Sequence, residues 1–399
     1  MRPLLPPATI GIIGGGQLGM MTVREAQRMG YRTIVWDPSK ECPASRLADS
    51  TIAAPFNDRN AATILCDNAD VVTYEFENID AETVERVERN VPVFPGSAIL
   101  RIAQHRKEEK VELAKRGFPV VQYVAASGAE ELHAAIETVG LPVVVKTAMS
   151  GYDGKGQTVM RTSHDVQRFF NQVNNENREY VVEKFHDLQC ELSSIVVRTD
   201  DGDVAAFPIA ENEHRNNILH RTIVPARVPD TVKRQAEELG RAIIESFEIV
   251  GVLCVEMFVT KEGRLLVNEL APRPHNSGHF SLDACSCSQF EALVRAVCGL
   301  AIPQPKLLTP CAMVNLLGKH LERLDVARLM KWDGVKLHLY GKTRSEPNRK
   351  MGHVTIFSET ADEVWERVRR VEEMIGEAAE ETGAWIPSTS QGSGSMPER

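Results

Sequence analysis

The chain has 399 residues, 43% hydrophobic and 25% charged, with a formal net charge of −9. That length holds two or three domains, and the composition is that of a soluble globular protein. An acidic chain without a Lys/Arg cluster suits neither nucleic acid nor an anionic membrane. No apolar run reaches the ~18–20 residues that span a bilayer, and the opening "MRPLLPPATI" lacks a signal-peptide apolar core.

The first hundred residues alternate strand and helix signals. "TIGIIG" is a β-branched run, followed by the glycine loop Gly14 to Gly19 and the helical stretch "LGMMTVREAQRMG". "YRTIVWD", "DVVTYEF" and "VPVFPG" read as strands, and "DAETVERVERN" as a helix. This alternation predicts a parallel, doubly wound α/β sheet. Gly14, Gly16 and Gly19 satisfy G-x-G-x-x-G, and Asp37 ends the next strand at the distance of a ribose-binding acid. Read alone, the motif predicts a phosphate site and admits a nicotinamide-dependent dehydrogenase, or a tight turn with no ligand.

After residue 105 the pattern becomes α+β. A helix through "RKEEKVELAKRG" leads to a strand and a helix within "VVQYVAASGAEELHAAIETVG". "LPVVVKT" and "GQTVMRT" are strands flanking "SGYDGKGQ", residues 150–157. Three glycines around Tyr152, Asp153 and Lys155 read as a mobile loop able to approach phosphates closely. "YVVEKF" and a β-meander through "CELSSIVVRTDDGDVAAFPIAENEH" follow, then the helix "TVKRQAEELGRAIIESF". "GVLCVEMFVT" and "GRLLVNEL" are strands made antiparallel by the turn "KEG". Each carries an acid inside an apolar run, Glu256 and Glu269, with Asn268 beside the second. A buried carboxylate needs a cation or a donor. Oxygen ligands completed by phosphate oxygens describe nucleotide-bound magnesium; salt bridges, for example with Arg273, are the alternative.

The last unit has strands "AMVNLLG", "VKLHLYG" and "GHVTIFS" and the helix "ADEVWERVRRVEEMIGEA". The tail "PSTSQGSGSMPER" is small, polar and expected to be disordered. The eight cysteines lack metal-site spacing and read as buried thiols in a reducing cytoplasm. The eleven histidines form no H-x-x-x-H or H-E-x-x-H pattern, so no zinc site is expected.

Together these pieces resemble the ATP-grasp family. "IGIIGGGQLGMM", "YEFENID", "SGYDGKGQ", "FPIAENEHRNNILHRTIVPA", "NELAPRPHNSGHF" and "NRKMGHVTI", in that order, resemble one branch of it, the stand-alone bacterial 5-(carboxyamino)imidazole ribonucleotide synthases. The resemblance covers roughly residues 9–380. It implies an N-terminal Rossmann-like domain over 1–105, an ATP-grasp domain over 106–305 with a lid at about 118–184, and a C-terminal domain over 306–386. Residues 387–399 form the tail.

It also implies ATP and magnesium as cofactors, 5-aminoimidazole ribonucleotide and bicarbonate as substrates, and a cytoplasmic homodimer. By family position ATP contacts fall on Arg106, Lys146, Gly151, Tyr152, Asp153, Gly154, Lys155, Gly156, Gln157, Glu183, Lys184, Phe185, His186, Glu191, His214, Asn268 and Glu269. Magnesium falls on Glu256 and Glu269. Gln17, Leu18, Glu75, Arg273, His275, Asn276, Lys342, Arg349 and Lys350 fall at the ribonucleotide end. Tyr152, Asp153, Lys155 and Arg273 are the expected catalytic groups, with Asp153 a candidate base or only a turn residue. Ser150 stands where the family more usually has glycine, and Lys155 where relatives also carry arginine.

Overall fold

The computed structural model describes residues 2–149, 156–172 and 178–377. Gly151, Tyr152, Asp153, Gly154, Lys155 and the expected tail lie outside the described residues.

At the N-terminus Thr9–Ile13, Arg32–Asp37, Ser50–Ala53 and Val71–Tyr74 form a four-stranded parallel sheet, with Thr9–Ile13 between Arg32–Asp37 and Val71–Tyr74. Ile10, Ile12, Ile13, Val35 and Val72 are fully buried, as expected for strands covered on both faces. The helices Arg59–Asn68 and Ala81–Glu88 begin at Asp58 and Asp80, whose carboxylates accept the first free N–H groups. "VPVFPG" is not a full strand. Only Val93 bridges, to Val72, because Pro92 and Pro95 have no N–H to continue the ladder.

A small antiparallel sheet follows, in the order Tyr123–Ser127, Glu179–Lys184, Val143–Thr147, Gln157–Met160. Helix Gly128–Val139 packs on it through Leu132, Ala135, Ile136 and Val139. The third sheet has nine strands. Its path runs Leu265–Ala271, Gly251–Thr260, Leu188–Arg198, Ala210–Arg215, Ile218–Val224, Cys311–Leu317, Lys350–Phe357, Val335–Leu339. Val204–Ala206 pairs to the side of Leu188–Arg198. The last three strands of the path join the middle ones without a break, since Ile218–Val224 pairs antiparallel with Cys311–Leu317. Helix Ala361–Ile375 covers that end through Val364, Val368, Val371 and Ile375.

Helix Gln289–Val297 packs against the N-terminal helix Gln17–Arg28 and the strand Gly251–Thr260. Phe290, Leu293 and Val294 place it in one apolar cluster with Ile10, Met21 and Val252. The N-terminal sheet is thereby fixed to the large sheet, with its first glycine loop turned toward the acid-bearing strands.

Candidate functional site

A cavity of about 510 Å³ lies between the small and large sheets and reaches the N-terminal unit. Its chemistry follows from strand alternation. On Val143–Thr147 the side chain of Lys146 is 8% exposed and its Nζ lies 2.8 Å from Glu183 on the neighbouring strand. Lys146 also donates to Asn268 Oδ1 at 3.2 Å. A second lysine, Lys110, reaches the same Glu183 at 2.9 Å and donates to the Asn268 carbonyl at 3.3 Å. Burial pushes the Glu183 carboxyl up, but the two lysines hold it at about 2. Burial also lowers the Lys146 ammonium, against the pull of Glu183. Two cations share one carboxylate, with Lys146 on the cavity wall and Lys110 buried behind it.

Glu256 and Glu269 are direct register partners across their antiparallel strands, beside a bulge after Glu256. Both line the cavity, as does Asn268. Glu269 pairs with Arg106 at 3.0 Å and Glu256 with His275 at 2.9 Å. Burial opposes the Glu256 charge, yet His275, His214 and Arg273 hold its carboxyl at about 2. Arg273 itself does not pair with either acid. It binds Glu77 through Nε and, at 3.0 Å, through Nη2. His214 pairs with Glu191 at 2.7 Å on the same wall.

Val121, Val144, Leu188 and Phe258 line the cavity beside the segment 183–186, an apolar slot suited to a planar base. Gln157, Lys184, Phe185 and His186 belong to this wall. Gly156, with φ +78°, lies off it and backs onto Thr147, where an added Cβ would meet Oγ1 at 2.5 Å. At the far end Gln17, Leu18, Arg273, His275, Asn276 and Lys350 line the same cavity.

Glu75, Lys342 and Arg349 are not on the wall. Lys342 donates to the Lys350 carbonyl at 2.7 Å, and Arg349 to the Arg344 carbonyl at 3.0 Å. Glu75 is turned into the first glycine loop, where its carboxylate accepts the N–H of Gly16 and, at 2.6 Å, of Gly19. Asp37 accepts the N–H of Gly15 at 2.8 Å. The donors that a dinucleotide pyrophosphate would use are thus taken by the chain's own carboxylates. The glycines serve close approach: a Cβ at Gly16 would lie 2.5 Å from Glu75 Oε1, and one at Gly19 2.4 Å from the Gly14 carbonyl. The dehydrogenase reading of this loop is corrected accordingly, while Gln17 and Leu18 of the same loop still face the cavity.

Residues 111–290 match the ATP-grasp domain, 7–104 the ribonucleotide synthetase preATP-grasp domain and 311–367 the phosphoribosylaminoimidazole carboxylase C-terminal domain. The N5-carboxyaminoimidazole ribonucleotide synthase of Bacillus subtilis is 43% identical over 361 residues, 90% of this chain and 94% of the relative. The ADP complex of the Staphylococcus aureus N5-carboxyaminoimidazole synthetase superposes with a TM-score of 0.88 at 40% identity, covering 93% of this chain and 98% of that one. An Aspergillus clavatus synthase bound to ADP and 5-aminoimidazole ribonucleotide gives 0.83 at 28% identity, covering 92% and 98%. This chain belongs to the N5-carboxyaminoimidazole ribonucleotide synthase family.

Two groups that hold cavity-lining side chains in place escape a reading of the sequence. Lys110 sits one helical turn after Arg106, so an i,i+4 comparison within "RKEEK" would have put both cations on one face. Glu77, in "YEFENID", is the anion that orients Arg273. Its ionised state is secured by that pairing, which outweighs burial and holds the carboxyl at about 2.

Proposed function

We infer that the protein carboxylates 5-aminoimidazole ribonucleotide with bicarbonate at the expense of ATP, giving N5-carboxyaminoimidazole ribonucleotide, ADP and phosphate in purine synthesis. The observation that carries this reading is one cavity with two chemically distinct halves. Lys146, Arg106 and Glu269 lie toward one end, Arg273, Asn276 and Lys350 toward the other, and the Glu256–His275 pair stands between them.

Bicarbonate is a weak electrophile. Attack of its oxygen on the γ-phosphorus of ATP expels ADP and gives carboxyphosphate, whose carboxyl carbon then accepts the ribonucleotide amine as phosphate leaves. Phosphoryl transfer responds chiefly to positioning and charge neutralisation. Lys146, oriented by Glu183 and Asn268, places its ammonium at the phosphate end. Arg106 adds charge there, and the family position of Lys155, outside the described residues, assigns it the same role. Glu256, Glu269 and the Asn268 oxygen fit a hard divalent cation, because all three line the same cavity and the two acids are register partners. Bound there, magnesium supplies charge neutralisation for the phosphates. Arg273, held by Glu77, and Lys350 orient the anionic ribonucleotide. Asp153, outside the described residues, is the candidate base for the amine proton or a turn residue of its loop, and loss of carboxylation in Asp153→Asn would favour the first.

The described cysteines are all free, in keeping with the cytoplasm, and no described helix is long and apolar enough to cross a membrane. The homodimer belongs to this reading and is tested by sedimentation. The deciding measurement is ADP release with magnesium–ATP and bicarbonate, with and without 5-aminoimidazole ribonucleotide. Strong stimulation by the ribonucleotide, with bicarbonate carbon in an acid-labile product, is expected. Stimulation by a different amine and not by this one would overturn the acceptor assignment.

A further inference from the structure

Behind the ribonucleotide end of the cavity the fold collects imidazoles far apart in sequence. His338 and His353 are direct cross-strand partners on Val335–Leu339 and Lys350–Phe357. Their rings stack, 4.4 Å between centroids and 12° apart. The short helix Ser281–Ala284 brings in Asp283, whose Oδ2 lies 2.8 Å from His338 Nε2. One ligand atom from each of Asp283, His338 and His353 lies within 4.8 Å of the others. His279 stands against His353 with ring centroids 4.8 Å apart.

Two features of this cluster point to a missing ligand. His353 and His279 are fully buried, yet Nε2 of each has no hydrogen-bond partner. A buried polar atom without a partner is costly and calls for an explanation. His353 has its other nitrogen, Nδ1, in a 2.9 Å hydrogen bond with Tyr340. That is the arrangement of a metal-bound imidazole, in which an outer partner fixes one nitrogen and frees the other.

We propose that Asp283, His338 and His353 bind one divalent transition-metal ion of the zinc type, at a site separate from the nucleotide magnesium. Two imidazoles and a carboxylate form a mixed N/O donor set that zinc accepts, with water in the fourth position. Such an ion asks the His338 ring to swing out of its stack. Its side chain is 21% exposed, which leaves room for that rotation. The ion would tie the C-terminal hairpin to the segment following His275 and Asn276. It would thereby brace Lys350, at the start of one hairpin strand, against the acceptor loop.

The test uses full-length protein freed of metal by a chelator and titrated with Co²⁺, without nucleotide. One equivalent is expected to bind at micromolar concentration with the visible bands of a four-coordinate ion, and Zn²⁺ should displace it and raise the melting temperature. Asp283→Asn and His338→Gln alter partly exposed side chains and should keep the fold by circular dichroism. Each should weaken binding by more than about tenfold, while Glu256→Gln leaves it unchanged. No stoichiometric binding, or binding lost in Glu256→Gln and kept in His338→Gln, would overturn the proposal and leave a stacked histidine pair charge-paired to Asp283.

Discussion

At one end of the nine-stranded sheet, Glu256 and Glu269 face each other and open onto a cavity, each in direct contact with one cation. Further along the same sheet Arg221, on Ile218–Val224, points into helix Ala361–Ile375. Glu372 Oε1 accepts from Arg221 Nη1 at 2.6 Å and from His220 Nε2 at 2.7 Å. Glu213 also pairs with Arg221, and the Trp365 ring lies 4.3 Å under its guanidinium. Both clusters put charge inside apolar strands. In the second, the side chains of Arg221 and Glu372 are 0% exposed, and the charges neutralise one another. In the first, the ion pairs line a cavity and leave open space beside them. A buried charge cluster that closes on itself holds domains together; one that leaves a gap binds a ligand.

The largest effect should come from breaking the closed cluster. Removing one partner of a buried pair strands the other, a loss of about 3–5 kcal/mol. Glu372→Gln should therefore lower the urea midpoint sharply, with specific activity per folded molecule retained. If stability were unchanged, the closed cluster would not be what joins the C-terminal helix to the sheet.

The open cluster should behave in the reverse way. Glu269→Gln removes a charge from the cavity wall, and turnover should fall about 10²–10³-fold, the scale of losing one preorganised electrostatic group. Its melting temperature should move far less than that of Glu372→Gln. Equal damage to folding and turnover in both variants would erase the distinction.

Acid sensitivity sharpens the contrast. Glu183 has a folded pKa of about 2, below its unfolded value of 4.5, because Lys110 and Lys146 outweigh burial. A depressed carboxyl contributes stability that is present above the unfolded value and lost as pH falls through the folded one. Stability should therefore drop by up to about 3 kcal/mol between pH 4.5 and pH 2. In Glu183→Gln that slope should flatten over the same window, measured by chemical denaturation at stepped pH. An unchanged slope would mean the lysines do not hold this carboxylate ionised.

What could be read beforehand follows sequence distance. Glu256 and Glu269 were legible because an acid in an apolar strand is conspicuous, and a short turn fixes their strands as neighbours. Most of the strands and helices named from periodicity are present, apart from "VPVFPG", where prolines interrupt the ladder; Ser50–Ala53, Arg59–Asn68, Ser97–Gln104, Ile218–Val224 and Gln289–Val297 were not read. The occupant of the first glycine loop was not, since Glu75 lies 59 positions from Gly16 and only the parallel sheet brings them together. The same holds for Lys110 on Glu183, and for Asp283 beside His338, 55 positions on. No local spacing marks such clusters, so the absence of a histidine motif did not exclude one.

The smallest effect separates the two ends of the open cavity. Lys350 lines it at the acceptor end, away from the Lys146–Glu183–Lys110 group. Lys350→Met should raise KM for 5-aminoimidazole ribonucleotide several-fold, about 1 kcal/mol for a partly exposed ionic contact, and leave KM for ATP nearly unchanged. The split matters more than its size. The cavity is continuous, so a cation lost at one end could weaken every anion in it through the shared field. If Lys350 acts by direct contact, only the ribonucleotide suffers. If both KM values rise together, the two halves form one electrostatic basin, and the assignment of Lys350 to the acceptor fails.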